Sequence, residues 1–272
     1  MIIISNRPGQ LGNLIFIYAN FLAYGLENSI SVSNPSFYSY KNYFTFTSGF
    51  SFSKNKIFYT FCYYFARILF KLKIKTTLIT SLALNWSETV NLDHAPQLNS
   101  SLCFVQGWLF RSDKLVLKHK KKIVAFFTPA EKFKNQLTSF FSQFNKNEFL
   151  IGIHIRLGDY KTFENGKYHY STDDYLNAIK QLALLFKDRD PHFIVCSNEK
   201  VNLNTEEIQE LKITYGPGHE LLDMYCLASC HHIAGPPSTY TMWASFYGNV
   251  PLYVISDIKK GISINDFKIQ LA

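Results

Sequence analysis

The chain has 272 residues and a net charge of +8, with 47% hydrophobic and 18% charged residues. This composition excludes an intrinsically disordered chain, and the counts of 13 Gly and 9 Pro exclude a collagen-like or Pro/Gly-rich polymer. The length is sufficient for one large domain or two smaller ones, and the positive charge favours an anionic partner, whether a phosphorylated ligand, a membrane surface or a nucleic acid.

The N-terminal half begins with a strand, a glycine-containing loop and a helix. The apolar run 1–4 is too short for a secretory signal and predicts a first β-strand. The loop 8–12 follows, and the apolar run 14–26 predicts a helix. Further along, 103–107 predicts another strand and 114–144 predicts helices.

The segment between these elements is aromatic and basic. Residues 33–60 have poor periodicity and predict irregular structure. The run 57–72 is the most membrane-like of the chain, but it contains Arg67 and Lys71 and is shorter than the roughly 20 apolar residues that a membrane span needs. The simplest interpretation is a buried helix with a solvated end. Peripheral contact with an anionic membrane surface is the alternative.

The second half alternates strands with helices, which predicts an α/β sheet with parallel pairing and ligands at the carboxyl ends of its strands. The boundary between the halves is expected near residue 148. Thr172 or Asp173 is expected to cap the first helix of this half. Strands are predicted to begin at 149 and to span 192–198, 213–215, 231–235 and 250–256, and helices to span 172–187, 206–211, 220–230 and 239–248.

Several other patterns have a simple structural explanation. The five Cys are an odd number without regular spacing, which favours a reduced, cytoplasmic protein. The D-x-D pattern at 188–190 lies before a strand, at the opposite edge of the sheet from the ligand-binding edge, and is interpreted as a solvated turn. The cysteines and histidines of 226–232 lack zinc-finger spacing and are interpreted as core residues. The basic run 118–122 is interpreted as a solvated helix face, and no nucleic-acid-binding motif accompanies it.

The segment 154–160, His-Ile-Arg-Leu-Gly-Asp-Tyr, carries polar side chains at the end of a buried strand. Strand alternation puts His154 and Arg156 on one face. Such residues are costly there unless they are paired or functional, and Arg suits bidentate recognition of phosphate. The alternative is a structural ion pair between Arg156 and Asp159 that closes the turn.

Two further loops stand at strand-to-helix junctions. The loop 9–13 lets the backbone approach an anionic ligand at a helix N-terminus, but it lacks the G-x-G-x-x-G pattern, and taken alone it is better explained as a plain tight turn. In the loop 235–240, Ser238 and Thr239 can cap the next helix or hold a phosphate. Arg156 with Ser238 and Thr239 would form a neutralising clamp for a diphosphate leaving group.

Together these loops resemble glycosyltransferase family 11, the α-1,2-fucosyltransferase family. The specific match is His-Ile-Arg-Leu-Gly-Asp-Tyr at 154–160, which corresponds to the family's H-x-R-R-G-D-Y. The matching segments follow in the same order from residue 8 to about 250: PGQLGNLIFIYAN at 8–20, GWLFRSDKL at 107–115, DYLNAI at 174–179, CSNE at 196–199 and DMYCLASCHHIAGPPSTYTMWASFYGN at 223–249.

The resemblance implies a GT-B-like α/β enzyme of two Rossmann-type halves with mainly parallel sheets. Residues 1–148 would form the acceptor-side domain, and 149–272 would bind the nucleotide sugar. The implied activity is inverting, metal-independent transfer of L-fucose from GDP-fucose to a glycan hydroxyl, commonly the 2-OH of galactose. No metal and no cofactor besides the GDP-fucose donor substrate is implied.

The resemblance also assigns roles to residues. Arg156 would bind the β-phosphate and neutralise the leaving GDP, His154 would shape the nucleotide or sugar pocket, and Asp159 would hold the geometry of the motif. Ser238 and Thr239 would contact the diphosphate.

At the remaining positions, Gly12 and Asn13 would border the donor phosphate and the acceptor, and Ser197 and Asn198 would lie near the nucleoside. The base that takes the acceptor proton is not identified, and Asp159, His154 and Glu164 are candidates by residue type.

The chain departs from the family pattern at three places, one of which is Ser-Asn-Glu at 197–199 where the family has Ser-Asp-Asp. Leu157 replaces the second Arg of the central motif, so that Arg7 is a candidate to supply the missing contact, and Pro236 and Pro237 reshape the last loop. Transfer from another nucleotide sugar, and a non-catalytic glycan-binding role, are therefore kept as alternatives. The expected location is cytoplasmic, with contact at the inner membrane face as an option, and neither the acceptor nor the oligomeric state is predicted.

Overall fold

The computed structural model describes residues 1–7, 9–47, 55–85, 87–95, 98, 100–203 and 210–271. The chain forms two compact units, Met1–Lys132 and Phe133–Leu271. The division falls 16 residues before the boundary expected at 148, because the last helix of the 114–144 stretch lies almost entirely in the second unit.

The first unit is built around a parallel sheet with the strand order β2-β1-β5-β3. The strand expected at 103–107 is β5, whereas β3 had no sequence prediction. The elements of the first unit are β1 (Ile2–Ile4), α1 (Leu11–Asn28), β2 (Val32–Ser33), α2 (Lys56–Lys71), β3 (Ile79–Ala83), β4 (Val90–Asn91), β5 (Leu102–Gln106), β6 (Phe110–Arg111), α3 (Asp113–Lys118) and α4 (Lys120–Phe126). The helix α5 (Glu131–Phe141) crosses into the second unit.

Helix α2 covers one face of this sheet with only one of its own sides. Its residues Cys62, Ala66 and Leu69 are buried against Ile3 and Phe104 of the sheet. The opposite side of the helix is exposed. The buried-helix interpretation of 57–72 is therefore correct for one side and wrong for the other. Among the helices of the described residues, none combines the length and apolar character needed to cross a bilayer.

The second unit contains a five-stranded parallel sheet with the order β11-β10-β7-β8-β9. The alternation of strands and helices predicted this arrangement, and the predicted α/β class with mainly parallel sheets is confirmed. The predicted helix at 206–211 lies mostly outside the described residues. The elements are β7 (Leu150–Ile155), α6 (Thr172–Leu185), β8 (His192–Ser197), β9 (Lys212–Tyr215), α7 (Glu220–Leu227), β10 (His232–Gly235), α8 (Thr239–Gly248) and β11 (Leu252–Val254).

The central strand β7 is buried along its whole length. Its odd-numbered residues, such as Ile153 and Ile155, pack into a core with Tyr175 and Ile179 of α6. Its even-numbered residues face the other layer, where an added methyl at Gly152 would meet Leu227 of α7. The sheet is thus covered by helices on both faces, as its apolar strands require.

The N-terminus of α6 differs from the prediction. Ser171, and not Thr172 or Asp173, is the cap residue, and its hydroxyl accepts from the Asp174 backbone N–H at 3.2 Å. The Asp174 carboxylate accepts in return from the Ser171 backbone N–H at 2.8 Å. This reciprocal pair is a capping box, which satisfies two backbone donors where a cap at Thr172 would satisfy one.

The close approach of α7 and α8 gives a test of this packing. A methyl group at Gly248 would lie 1.9 Å from the backbone oxygen of Ala228, whereas one at Gly261 would meet no heavy atom within 4 Å. We expect Gly248→Ala to lower the free energy of unfolding by about 2 kcal/mol, because backbone must move to admit the side chain. Urea unfolding measures the change, and Gly261→Ala is the control with an effect within about 0.5 kcal/mol. Equal effects of the two substitutions would contradict the packing.

Candidate functional site

The candidate site lies where the strand order of the second sheet reverses. The first strand of this unit, β7, pairs on one side with the second, β8, and on the other with the fourth, β10. Connections on the two sides leave in opposite directions, so a crevice opens outside the carboxyl ends of β7 and β10. Open α/β sheets bind ligands at this position. The predicted residues Arg156 and Ser238 follow the ends of these two strands.

Arg156 forms a bidentate ion pair with Asp159. Its Nε donates to Oδ1 at 2.8 Å and its Nη2 donates to Oδ2 at 2.9 Å. The arginine side chain is 11% exposed and the carboxylate 46% exposed. The structural alternative raised by the sequence is therefore present as a contact. The same contact also fixes the plane of the guanidinium group, which is what phosphate recognition requires.

Tyr160 connects the two loops of the crevice. Its ring lies 5.5 Å from the Arg156 guanidinium carbon, and its hydroxyl donates to the backbone oxygen of Pro237. Burial raises the pKa of Tyr160, and a hydrogen bond with the Ser238 side chain partly opposes this. No role was predicted for Tyr160 from the sequence. Its signal was its place in the 154–160 motif, two residues from the glycine of the turn.

Ser238 caps helix α8. Its hydroxyl accepts from the Tyr240 backbone N–H at 3.2 Å, and its backbone oxygen accepts from the Thr241 hydroxyl at 3.1 Å. Thr239 is the first residue of the helix and is half-buried. The capping role proposed as one alternative is thus observed. The positive end of a helix favours an anion, so this capped N-terminus is also suited to a phosphate group.

His154 is buried on the layer that faces α8. Its ring is 2% exposed and stacks on Tyr240, with centroids 4.9 Å apart. Gly235 leaves room for it, since a methyl there would lie 2.9 Å from the His154 Cβ. Burial, together with the nearby Arg156 charge, lowers the pKa of His154 to about 3. Its Nδ1 finds no hydrogen-bond partner among the described residues.

The end of β8 borders the same edge through Asn198. The Asn198 Oδ1 accepts from the Leu157 backbone N–H at 2.8 Å, which ties the β8 loop to the β7 loop. Ser197 is half-buried, and its hydroxyl accepts from the Glu199 backbone N–H at 3.3 Å. Ser197 and Asn198 therefore lie beside the crevice with the Arg156 loop. Glu164 is exposed on the following turn.

Asp223 is a buried carboxylate for which no role was predicted from the sequence. It is 5% exposed at the start of α7, and its Oδ1 accepts from the Gly218 backbone N–H at 2.9 Å. Burial raises its pKa to about 6, and the backbone hydrogen bonds oppose this shift. The Cys196 thiol, near the end of β8, donates a weak hydrogen bond to the backbone oxygen of Asp223 at 3.7 Å. The available signal was its place as the first residue of the matching segment 223–249.

The other predicted ligand-binding residues belong to the first unit. Gly12 is buried and Asn13 half-buried in the first turn of α1, which starts at Leu11. Pro8, in the preceding loop, lies outside the described residues. Arg7, suggested as a substitute for the missing second Arg, donates from Nε to the Tyr63 hydroxyl of α2 at 2.8 Å.

The patterns set aside from the sequence are structural where described. Asp190 follows a short turn before β8 and pairs with Lys212, and the Arg189 guanidinium lies 4.4 Å from the Phe149 ring centre. All five cysteines are free thiols and buried. Within the described ranges, no group of three or more His, Cys, Asp and Glu side chains is arranged to hold a metal ion.

Comparisons with known proteins identify the family and the fold. The model of glycosyl transferase family 11 matches residues 114–259, more than half of the chain. No curated protein sequence matches the chain. Among solved structures, a mutant of Arabidopsis thaliana FUT1 in complex with GDP has a TM-score of 0.66 at 12% identity, covering 93% of this chain and 70% of that one.

Two other similar structures are the NodZ α-1,6-fucosyltransferase soaked with GDP-fucose and apo POFUT1. NodZ has a TM-score of 0.58 at 13% identity, and 93% of this chain and 94% of NodZ are covered. POFUT1 has a TM-score of 0.50 at 12% identity, with 92% and 95% covered. At these identities the likeness establishes the fold, and the predicted GT-B-like class is confirmed.

The buried His154 gives a testable pH dependence of stability. The unfolded chain binds a proton on this residue below its ordinary pKa of 6.5, whereas the folded protein does so only near 3. Stability from this residue is therefore present above pH 6.5 and is lost as the pH falls, by about 2 kcal/mol between pH 6.5 and 4.5. Asp223 acts in the opposite direction, since its raised pKa makes stability fall as the pH rises from about 4 to 6.

We expect His154→Gln to lose less stability than the wild type between pH 7 and 4.5, measured by urea unfolding at each pH. For each protein, the free energy of unfolding at pH 4.5 is subtracted from that at pH 7. The two differences are then compared, so that a loss of stability from repacking that is equal at both pH values cancels. His94→Gln changes an exposed histidine and is the control. Parallel pH profiles for the wild type and His154→Gln would show that His154 is not held neutral.

Proposed function

The chain belongs to glycosyl transferase family 11, and from this premise we propose that it transfers L-fucose from GDP-fucose to a hydroxyl group of a glycan. The proposed linkage is α-1,2, to the 2-OH of a galactose, with inversion at the anomeric carbon and without a metal ion. We also propose a cytoplasmic location, which the five buried free thiols support, because free cysteines persist in a reducing compartment.

One observation carries the proposal: Arg156, oriented by Asp159, stands at the strand-order reversal beside the Ser238-capped N-terminus of α8. A guanidinium group and a helix N-terminus are both suited to phosphate oxygens. A protein that only binds neutral glycans has no need for this pairing. The arrangement therefore supports a donor with a diphosphate group.

In the proposed mechanism the acceptor hydroxyl attacks the anomeric carbon while GDP departs from the opposite face. The C–O bond to the β-phosphate breaks and negative charge grows on that phosphate as the sugar acquires oxocarbenium character. Arg156 is proposed to stabilise this charge, with the Ser238 hydroxyl and Thr239 at the helix N-terminus as further diphosphate contacts. These groups supply the positive potential that a metal ion supplies in other transferases.

The candidates for the base differ in their surroundings. His154 is neutral at pH 7, but its lowered pKa and burial make it a weak base, so we assign it to the wall of the pocket. Asp159 is engaged with Arg156. We therefore propose that the acceptor proton leaves late, to solvent, after most of the glycosidic bond has broken.

The role of Arg156 predicts the behaviour of its variants. We expect Arg156→Ala to lower kcat/KM for transfer at least about a hundredfold, because the charge on the leaving diphosphate is no longer neutralised. Arg156→Lys retains the charge but loses the bidentate geometry, so its kcat/KM should lie between that of the wild type and that of Arg156→Ala. The measurement is GDP release with GDP-fucose and a galactoside acceptor, with folding checked by circular dichroism.

The control is Arg189→Ala, which removes the same charge from an exposed position before β8. It should keep near-normal turnover. If Arg156 only closes the turn, Arg156→Ala would instead lower the melting temperature while leaving turnover, corrected for the folded fraction, near that of the wild type. That result would reject the assignment.

The donor is tested by thermal shift with GDP, GDP-fucose, GDP-mannose, UDP and dTDP, each with and without EDTA. A ligand at 100 times its Kd should stabilise the protein by about 2.7 kcal/mol. We expect shifts with the guanine nucleotides alone, unchanged by EDTA. A UDP or dTDP shift would assign another donor to the same fold, and an EDTA-sensitive shift would contradict the metal-free mechanism.

A further inference from the structure

Helix α2 exposes a continuous stripe of large apolar side chains. The exposed fractions are 80% for Ile57, 63% for Phe61, 61% for Tyr64, 57% for Ile68 and 63% for Leu72. Their spacing of three or four residues places them on one face, within an arc of about 80° on an ideal helix. The stripe is about 22 Å long, since each helical residue rises about 1.5 Å.

The exposure of this stripe is not explained by the packing of the helix. The opposite side of α2 already supplies the contacts that hold it to the sheet, through Cys62, Ala66 and Leu69. The N-terminus of the helix is capped by Asn55, whose Oδ1 accepts from the Ile57 backbone N–H at 2.8 Å. The helix is therefore formed and anchored, and the apolar stripe remains in contact with solvent.

Basic residues follow one edge of the stripe. On an ideal helix Lys56, Arg67 and Lys71 fall along the same flank, and all three are exposed. Lys73 and Lys75 come directly after the helix and are exposed as well. The sequence contains no Asp or Glu between Glu27 and Glu88. The surface around the stripe is therefore apolar and positive, with no carboxylate from its own segment.

We propose that this face of α2 is a docking surface for an anionic lipid bilayer. A helix with one apolar face and a basic edge lies in the plane of the interface, with its apolar side chains among the acyl chains and its basic groups at the headgroups. Tyr64 suits that boundary, where tyrosine is enriched. The helix rests on the membrane and does not cross it.

Charge complementarity selects the bilayer over a second copy of the chain. Two copies that packed stripe against stripe in antiparallel orientation would bring their basic edges together, and in either orientation this segment has no carboxylate to pair with those edges. Anionic headgroups supply the missing negative charge along the whole length of the helix. The proposal concerns binding alone and stands independently of the fucosyl transfer proposed above.

The test is co-sedimentation of the full chain with vesicles of phosphatidylcholine, with and without one third phosphatidylglycerol. We expect binding that requires phosphatidylglycerol and weakens between about 0.1 M and 1 M salt, where the Debye length falls from about 10 Å to 3 Å. Phe61→Ser with Ile68→Ser should weaken binding at least about tenfold. Lys71→Glu with Lys75→Glu should weaken it by roughly fivefold for each lysine.

Two control variants match these changes elsewhere on the surface. Leu184→Ser with Ile264→Ser removes exposed apolar side chains of the second unit, and Lys121→Glu with Lys122→Glu changes the net charge by the same amount on α4. Both should bind vesicles like the wild type. The proposal is overturned if the wild type does not bind anionic vesicles, or if the control variants lose as much binding as the α2 variants do.

The oligomeric state shows whether a second copy of the chain, and not a bilayer, covers the stripe. Sedimentation analysis without lipid should show the same species for the wild type and for Phe61→Ser with Ile68→Ser. A wild-type dimer that becomes a monomer in this variant would assign the stripe to a second copy and reject the bilayer.

Discussion

Parallel pairing of β7 with β8 and β10 is the constraint on which the candidate site depends. Because these strands run in one direction, the loops after Ile155, Ser197 and Gly235 emerge at one edge, although they are far apart in the sequence. The reversal of strand order between β7 and β10 keeps the connections from covering that edge. The contacts of Asn198 with Leu157, and of Tyr160 with Pro237, then join the three loops.

The regular elements of the second unit could be predicted because their apolar patterns have a clear period, and α8 was predicted at its observed bounds. The cap of α6 could not be, since Ser171, Thr172 and Asp173 are all good cap residues and the choice depends on the backbone. In α2 nearly every position is apolar or aromatic, so the sequence did not indicate which side faces the sheet. The candidate site residues could be proposed from their types and positions, but the stacking of His154 on Tyr240 depends on packing between elements distant in sequence.

The Arg156–Asp159 pair is better understood as a device for orientation than as a source of stability. Removing a guanidinium group from water is costly, and an ion pair with a half-exposed carboxylate recovers only part of that cost. What the pair does provide is a fixed guanidinium plane at the crevice, supported by the Tyr160 ring. A neutral, buried His154 beside the pair adds no second positive charge to it.

The buried thiols divide between the two units, with Cys62 and Cys103 in the first and the other three in the second. Burial raises the pKa of each one, so each is both shielded and protonated in the folded state. Alkylation therefore requires an opening of the surrounding structure. The native cysteines thus form two sets of reporters, one in each unit. The order in which peptides from the two units become alkylated shows which unit opens more readily, and no cysteine has to be introduced by mutation.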